Sequence, residues 1–111
     1  MRDGQLVFKG RLGRDLQVEE GRDAAELCAL NALAALKEFL GDLDKIKRVV
    51  KLVGHVASAM DFSDQAKVVN GASELMVSAF GESGKHARMA IGVQMLPAQA
   101  PVAVELIVEA K

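Results

Sequence analysis

The stretch HARMAIGVQML, residues 86–96, has the alternating pattern of a half-buried β-strand. Apolar side chains occupy every second position from Ala87 to Met95 and predict one buried face. Arg88 lies on the other face, where its companions are mostly small or apolar: Ala90, Gly92, Gln94 and Leu96. A single guanidinium in such surroundings can bind a carboxylate through two hydrogen bonds. It can equally be an edge-strand charge that discourages pairing with another chain, so both interpretations stand.

The rest of the chain divides into alternating helix and strand patterns. One helix is predicted over residues 19–40, where Gly41 ends it. A second helix is predicted from Ser63, its N-cap, to Phe80, with Gly81 behind it. The predicted strands cover residues 5–10, 46–58, 87–96 and 102–110, and the β-branched stretch 46–58 is predicted to be a central strand. The order β-α-β-α-β-β predicts an α+β domain of two layers, with both helices on one face of a mixed, mostly antiparallel sheet.

Apolar spacing predicts which helix faces contact the sheet. The first helix presents a stripe of Ala25, Cys28, Ala32, Ala35 or Leu36, and Phe39. The second presents Phe62, Ala66, Val69, Ser73, Met76 and Phe80, while Lys67, Glu74 and Ser78 point outward. The last strand is apolar on both faces, which one layer of helices cannot cover. We therefore expect sheet-to-sheet burial between subunits and an oligomer.

Composition limits the classes of function. The 111 residues are enough for one domain, and half of them are hydrophobic, with no Trp or Tyr. Fourteen basic against fifteen acidic residues give a net charge of −1, so nucleic-acid binding is not expected. Cys28 is the single cysteine, and His55 and His86 stand apart from one another, so neither a disulfide nor a metal site is expected. No signal peptide or membrane span is recognised, which predicts a cytoplasmic protein.

Glu105 is the second unusually placed charge, because its own strand face carries Ala103 and Ile107. Such a carboxylate is costly to bury unless it is paired, and it can act on water as a general acid or base. A structural ion pair or an exposed edge acid explains it equally well. Arg88 and Glu105 lie on consecutive strands, which a hairpin would bring close together.

Two asparagines are further candidates. Asn70, near the apolar seam of the second helix, can orient a ligand or satisfy a backbone group of a neighbouring element. The structural use is the commoner one for a residue in this setting. Asn31, inside the apolar first helix, is predicted to be a buried hydrogen-bonding residue rather than a ligand contact.

Several short blocks together resemble one known family. They are LNAL at residues 30–33, VNGA at 69–72, HARMAI at 86–91, LP at 96–97 and VELI at 104–107. These blocks resemble the RidA family, also called YjgF/YER057c/UK114 or the L-PSP endoribonuclease-like proteins. The resemblance covers nearly the whole chain and implies a chorismate-mutase-like fold, assembled as a homotrimer with ligand clefts between subunits.

The resemblance also implies a chemistry. In such proteins the residue matching Arg88 binds the carboxylate of a small imino or keto acid, the residue matching Glu105 places or activates water, and the residue matching Asn70 lies in the cleft. The implied reaction hydrolyses enamines and imines of the 2-aminoacrylate type to 2-keto acids and ammonia. No cofactor is implied, because the imine carbon is already electrophilic.

The chain departs from the family pattern around Arg88. His86 stands where the family usually has Pro or Ala, Met89 where a small residue is common, and Ala90 where some members carry Cys. Residues 1–111 are predicted to form a single domain without the strand pair that opens other members. Two hypotheses follow: an imine deaminase that uses Arg88 and Glu105, or a non-catalytic trimer that binds or senses small carboxylates. The charge balance gives little support to a ribonuclease.

Overall fold

The structure is a computed structural model that describes residues 8–111 of the chain. Its helices and strands follow the predicted order: α1 Val18–Leu40, β1 Ile46–Ala57, α2 Gln65–Phe80, β2 Ala87–Val93 and β3 Val102–Ala110. Short 3₁₀ turns cover Leu43–Lys45, Gly81–Gly84 and Pro97–Gln99. Half of the predicted strand at residues 5–10 lies outside the described residues, and residues 8–10 are not in a strand. The predicted two-layer α+β class is confirmed.

The three strands form a mixed sheet in the order β2-β1-β3. β2 runs parallel to β1, because α2 carries the chain back between them, whereas β3 runs antiparallel to β1. The prediction of a hairpin between the last two strands is wrong: the chain crosses from one edge of the sheet to the other, and β1 lies between β2 and β3. The long β-branched strand is central, as its composition predicts.

Both helices pack on one face of this sheet. Leu52 and Val56 of β1 point into that layer and are fully buried. Gly54 lies between them because a Cβ there would be 2.4 Å from Cγ2 of Val69 on α2. The largest fully buried side chains are Leu12, Leu52, Met76, Val49, Val56, Val68 and Val69. The core is therefore aliphatic and lies between the sheet and the two helices.

The helix ends follow local signals, with one correction. Gly41 ends α1 with a φ of 89° and donates its backbone N–H to the Lys37 carbonyl at 2.7 Å. α2 begins at Gln65 with Asp64 as its N-cap, so the prediction of Ser63 is wrong. The Gln65 amide donates to the Phe62 carbonyl at 2.8 Å and holds the turn that precedes the helix, which delays its start.

The predicted helix stripes are only partly right. Phe39 is 85% exposed, because the core-facing line of α1 runs through Leu33 and Leu36 toward Leu40 and leaves Phe39 beside it. Ala66 of α2 is also exposed, and the neighbouring Val68 and Val69 take the buried positions. Lys67, Glu74 and Ser78 are exposed, as predicted.

The other face of the sheet is not covered by the helices of residues 8–111, and it carries Lys51 and His55 beside its apolar side chains. Val53 lies at its centre and pairs with Met89 on one side and Glu105 on the other. Met89 is 50% exposed and Ile107 is 46% exposed. Within residues 8–111, no helix is long and apolar enough to cross a membrane.

Candidate functional site

The sheet register directs Arg88 toward the helices. Arg88 pairs with Leu52, whose side chain is buried beneath them, and residues paired across a sheet share a face. The Arg88 guanidinium therefore extends from edge strand β2 toward α2. There Nη1 donates to Oδ1 of Asn70, and it also donates to Oγ of Ser73 at 3.4 Å. The fold thus brings two sequence-predicted site residues, Arg88 and Asn70, into contact.

Ser73 completes the set of acceptors around Nη1. It lies three residues after Asn70 on α2, so both side chains project from the same face of the helix. The buried Val69 and Ala72 fix that part of α2 against the sheet. The sequence marked Ser73 only as a seam residue. The three-residue spacing from Asn70 is the signal that would have identified it.

His86 contacts the same Ser73 hydroxyl as Arg88. Its Nδ1 lies 2.6 Å from the Gly84 carbonyl oxygen, and its Nε2 lies 3.0 Å from Oγ of Ser73. A carbonyl only accepts hydrogen bonds, so the Nδ1 position carries the proton in the neutral imidazole and Nε2 accepts from the Ser73 hydroxyl. His86, noted in the sequence only as a departure from the family pattern, is therefore connected to Arg88 through a single hydroxyl.

Arg88 retains an unpaired edge. Both acceptors within residues 8–111 contact Nη1, which leaves the parallel Nε–H and Nη2–H donors on the other edge of the guanidinium. Asn70 and Ser73 are neutral, so the positive charge is not compensated. Arg88 is also exposed. A planar carboxylate can approach this edge and accept two parallel hydrogen bonds.

Glu105 does not join this group within one chain. β1 separates β3 from β2, so the two outer strands lie about 10 Å apart. Glu105 pairs with Val53 and therefore projects from the open apolar face, opposite to Arg88. The expected proximity of Arg88 and Glu105 through a hairpin is wrong. Glu105 is exposed and accepts no hydrogen bond from the part of the chain that the structure describes.

A separate cavity of about 570 Å³ opens farther along β2, where Gly92, Ser58 and Gln65 are among its lining residues. Gly92 shares a face with Arg88 but lies four residues away, a distance of about 13 Å along a strand. A small acid held at Arg88 would not reach this cavity.

Three other residues singled out in the sequence lie elsewhere. Asn31 is exposed on α1, so the prediction of a buried side chain is wrong: it lies on the outer side of the helix, and Ala29 and Leu33 take the buried positions. Cys28 is half-buried against the core, and its Sγ donates to the Val102 carbonyl at 3.5 Å. Burial raises the pKa of the Cys28 thiol. Among residues 8–111, no three His, Cys, Asp or Glu side chains come together as metal ligands would.

The comparison with protein families agrees with this geometry. The family described as YjgF/chorismate mutase-like, putative endoribonuclease matches residues 1–110. The chain belongs to this family. The fold therefore has the chorismate-mutase-like topology that the sequence blocks imply.

Three YjgF-family relatives show how far the similarity extends. The chain is 50% identical over 101 residues to Protein TCP17 of Trypanosoma cruzi. The aligned region covers 90% of this chain and 63% of TCP17. Its sequence is 49% identical to that of Atu1372 from Agrobacterium tumefaciens, whose crystal structure superposes with a TM-score of 0.97. The matched region covers 99% of this chain and 71% of Atu1372. A putative endoribonuclease from Shewanella oneidensis MR-1 is 36% identical, with a TM-score of 0.95, covering 98% and 72%. The chain thus spans less than two thirds of the length of TCP17.

Proposed function

We propose that this YjgF-family protein binds small 2-imino and 2-keto acids at Arg88 and hydrolyses reactive enamines and imines of the 2-aminoacrylate type to 2-keto acids and ammonia. The observation that carries the proposal is the exposed, uncompensated guanidinium of Arg88. Asn70 and Ser73 hold its Nη1, and its Nε–Nη2 edge is left to bind a carboxylate.

The reaction asks little of the protein. Water adds to the imine carbon, the C–N bond of the resulting carbinolamine breaks, ammonia leaves and the carbonyl forms. Imine and water thus become keto acid and ammonia, with no oxidant or cofactor. The protein holds the carboxylate in place and moves protons between water and nitrogen.

Glu105 is the proposed group that places or activates the water. Because it lies on the sheet face opposite to Arg88, the two can serve one ligand only if they come from different subunits. The half-exposed Met89 and Ile107 on the open face supply the apolar surface for such an assembly. We therefore place the ligand between subunits of a homotrimer.

A second candidate function is carboxylate binding without catalysis, as a carrier or sensor. One observation favours it: His86 is connected to Arg88 through the Ser73 hydroxyl, but its Nε2 already accepts that hydroxyl and is not free to act on water. The hydrogen-bond partners of Arg88 within residues 8–111, Asn70 and Ser73, are neutral groups that do not act as bases, so activation of water would need Glu105 from a neighbour.

The decisive assay generates 2-aminoacrylate from L-serine with a pyridoxal-phosphate-dependent dehydratase and follows release of the 2-keto acid. We expect the wild-type protein to accelerate release, and Arg88→Ala to lose the acceleration. Arg48→Ala is the matched control, because Arg48 is an exposed arginine of the same sheet paired with Glu109. If the wild type and Arg88→Ala behave alike, the proposal fails. Binding of 2-ketobutyrate without acceleration would establish the second candidate.

A mixing experiment tests the shared site. Arg88→Ala and Glu105→Gln subunits are each expected to be inactive alone. Random 1:1 trimers would restore intact Arg88–Glu105 sites at about a quarter of the positions if the two residues come from different subunits. No recovery in mixed trimers, with both parents folded, would show that Glu105 does not act at a neighbour's Arg88.

A further inference from the structure

A chain of hydrogen bonds leads from the Gly84 carbonyl through His86 and Ser73 to Arg88. We propose that His86 and Ser73 are positioning residues that set the plane of the Arg88 guanidinium, so that its Nε–Nη2 edge faces the ligand. The inference rests on the proposed role of Arg88 as the carboxylate anchor. Neither residue needs to touch the ligand.

The donor and the acceptor of each of these hydrogen bonds can be assigned. Gly84 offers only a carbonyl oxygen, so Nδ1 of His86 donates and Nε2 keeps its lone pair. The Ser73 hydroxyl must therefore donate to Nε2, which leaves the oxygen lone pairs of Ser73 to accept from Arg88. A helical serine without such a partner turns its hydroxyl back to the carbonyl four residues earlier, here Val69. His86 thus decides how Ser73 faces Arg88.

The first member of this series of hydrogen bonds, the Gly84 carbonyl, is held in place by packing. Gly84 is buried where the turn after α2 meets that helix, and a Cβ there would lie 2.1 Å from the Met76 carbonyl oxygen. Met76 is itself fully buried. The imidazole of His86 is therefore fastened to a close-packed part of the backbone, and the orientation of Ser73 follows from it.

The rotation of the planar guanidinium is restricted more strongly by two fixed acceptors than by a single one. Nη1 donates to both Asn70 and Ser73, so rotation of the guanidinium would lose a hydrogen bond. A guanidinium that is already oriented loses less conformational freedom when the carboxylate binds. The expected consequence lies in ligand affinity and KM rather than in kcat.

The test measures the affinity for 2-ketobutyrate by titration calorimetry. Ser73→Ala is expected to raise Kd about three- to tenfold, the effect of one lost hydrogen bond to a charged group at a partly exposed site. Ser73→Thr keeps the hydroxyl and is expected to retain most of the affinity. His86→Ala should raise Kd in the wild-type background but not in the Ser73→Ala background, because His86 acts through Ser73. Additive effects of the two substitutions would overturn the proposal.

A spectroscopic measurement separates this inference from the proposed function. In ¹⁵N NMR of the wild type, at a pH where imidazole is neutral, His86 is expected to carry its proton on Nδ1. The Nε2 resonance should shift in Ser73→Ala. A proton on Nε2 in the wild type would overturn the inference whether or not 2-ketobutyrate binds. If the wild type binds no 2-ketobutyrate, the proposed function fails, and the NMR result alone decides the arrangement of His86 and Ser73.

Discussion

Replacing Arg88 by lysine separates the charge of the site from its shape. Both side chains are cationic, but only the guanidinium offers the parallel Nε–H and Nη2–H donors that lie opposite the occupied Nη1. A lysine ammonium has three protons, and two of them would be needed by Asn70 and Ser73. One proton would then remain for the ligand, so Arg88→Lys should lose one of two charge-assisted hydrogen bonds.

The size of the effect follows from that count. A hydrogen bond to a charged group contributes about 1.5–3 kcal/mol, and the exposure of Arg88 reduces this to about 1–2 kcal/mol. The Kd for 2-ketobutyrate should therefore rise about 5- to 30-fold in Arg88→Lys. Arg88→Ala should weaken binding further, because the charge is lost as well.

Titration calorimetry at fixed ionic strength measures these differences directly. Arg48→Lys is the matched control: Arg48 donates from Nε to Oε1 of Glu109 at 2.8 Å, away from α2, and its replacement should leave Kd unchanged. Unchanged affinity in Arg88→Lys would refute the reasoning, since it would show that only charge, and not the side-on edge, holds the carboxylate.

Three further predictions concern the core, the thiol and the open sheet face. Gly54→Val would drive a side chain into Val69, 2.4 Å from the position of Cβ, and should destabilise the fold by about 1–3 kcal/mol; a thermal transition less than about 4 °C below the wild type would contradict this. Cys28 should react with iodoacetamide far more slowly in the native protein than in urea, because burial raises the pKa of its thiol and leaves less thiolate at neutral pH; equal rates would contradict this. Ile107→Lys, on the half-exposed apolar face, should shift sedimentation toward monomers, whereas an unchanged assembly would exclude this face from the interface.

Local signals in the sequence were sufficient for the elements of the fold. Gly41 and Gly81 end their helices as predicted, because a C-terminal glycine accepts the backbone conformation that closes a helix. The β-branched run of β1 likewise predicted the central strand. Such features depend on residues within one or two turns of each other, so a single sequence contains them.

Strand adjacency was not a local property. The link between β2 and β3 contains Pro97 and Pro101 and suits a hairpin as well as a crossing over the end of β1. The order strand-helix-strand formed by β1, α2 and β2 was the available signal, since parallel neighbours need a crossover of this kind. The same limitation hid Ser73 and His86, which are 13 residues apart and meet only because β2 lies beside α2.

The sheet register also constrains any role of Glu105. Residues paired with Leu52 point toward the helices and those paired with Val53 point to the open face, so a shift of one residue in β3 would have placed Glu105 on the side of Arg88. In the observed register, Glu105 pairs with Val53, and Ile107 and Lys51 are its neighbours on the same face. A carboxylate buried there between subunits without a partner would be destabilising. It is tolerable beside water or a cation. Lys51 is a cation on this face of the chain, and a ligand cleft that holds a protonated imine would supply both water and a second cation. The cost of burying Glu105 on an apolar face is thus the physical reason to place the water-activating end of the proposed site at a subunit boundary.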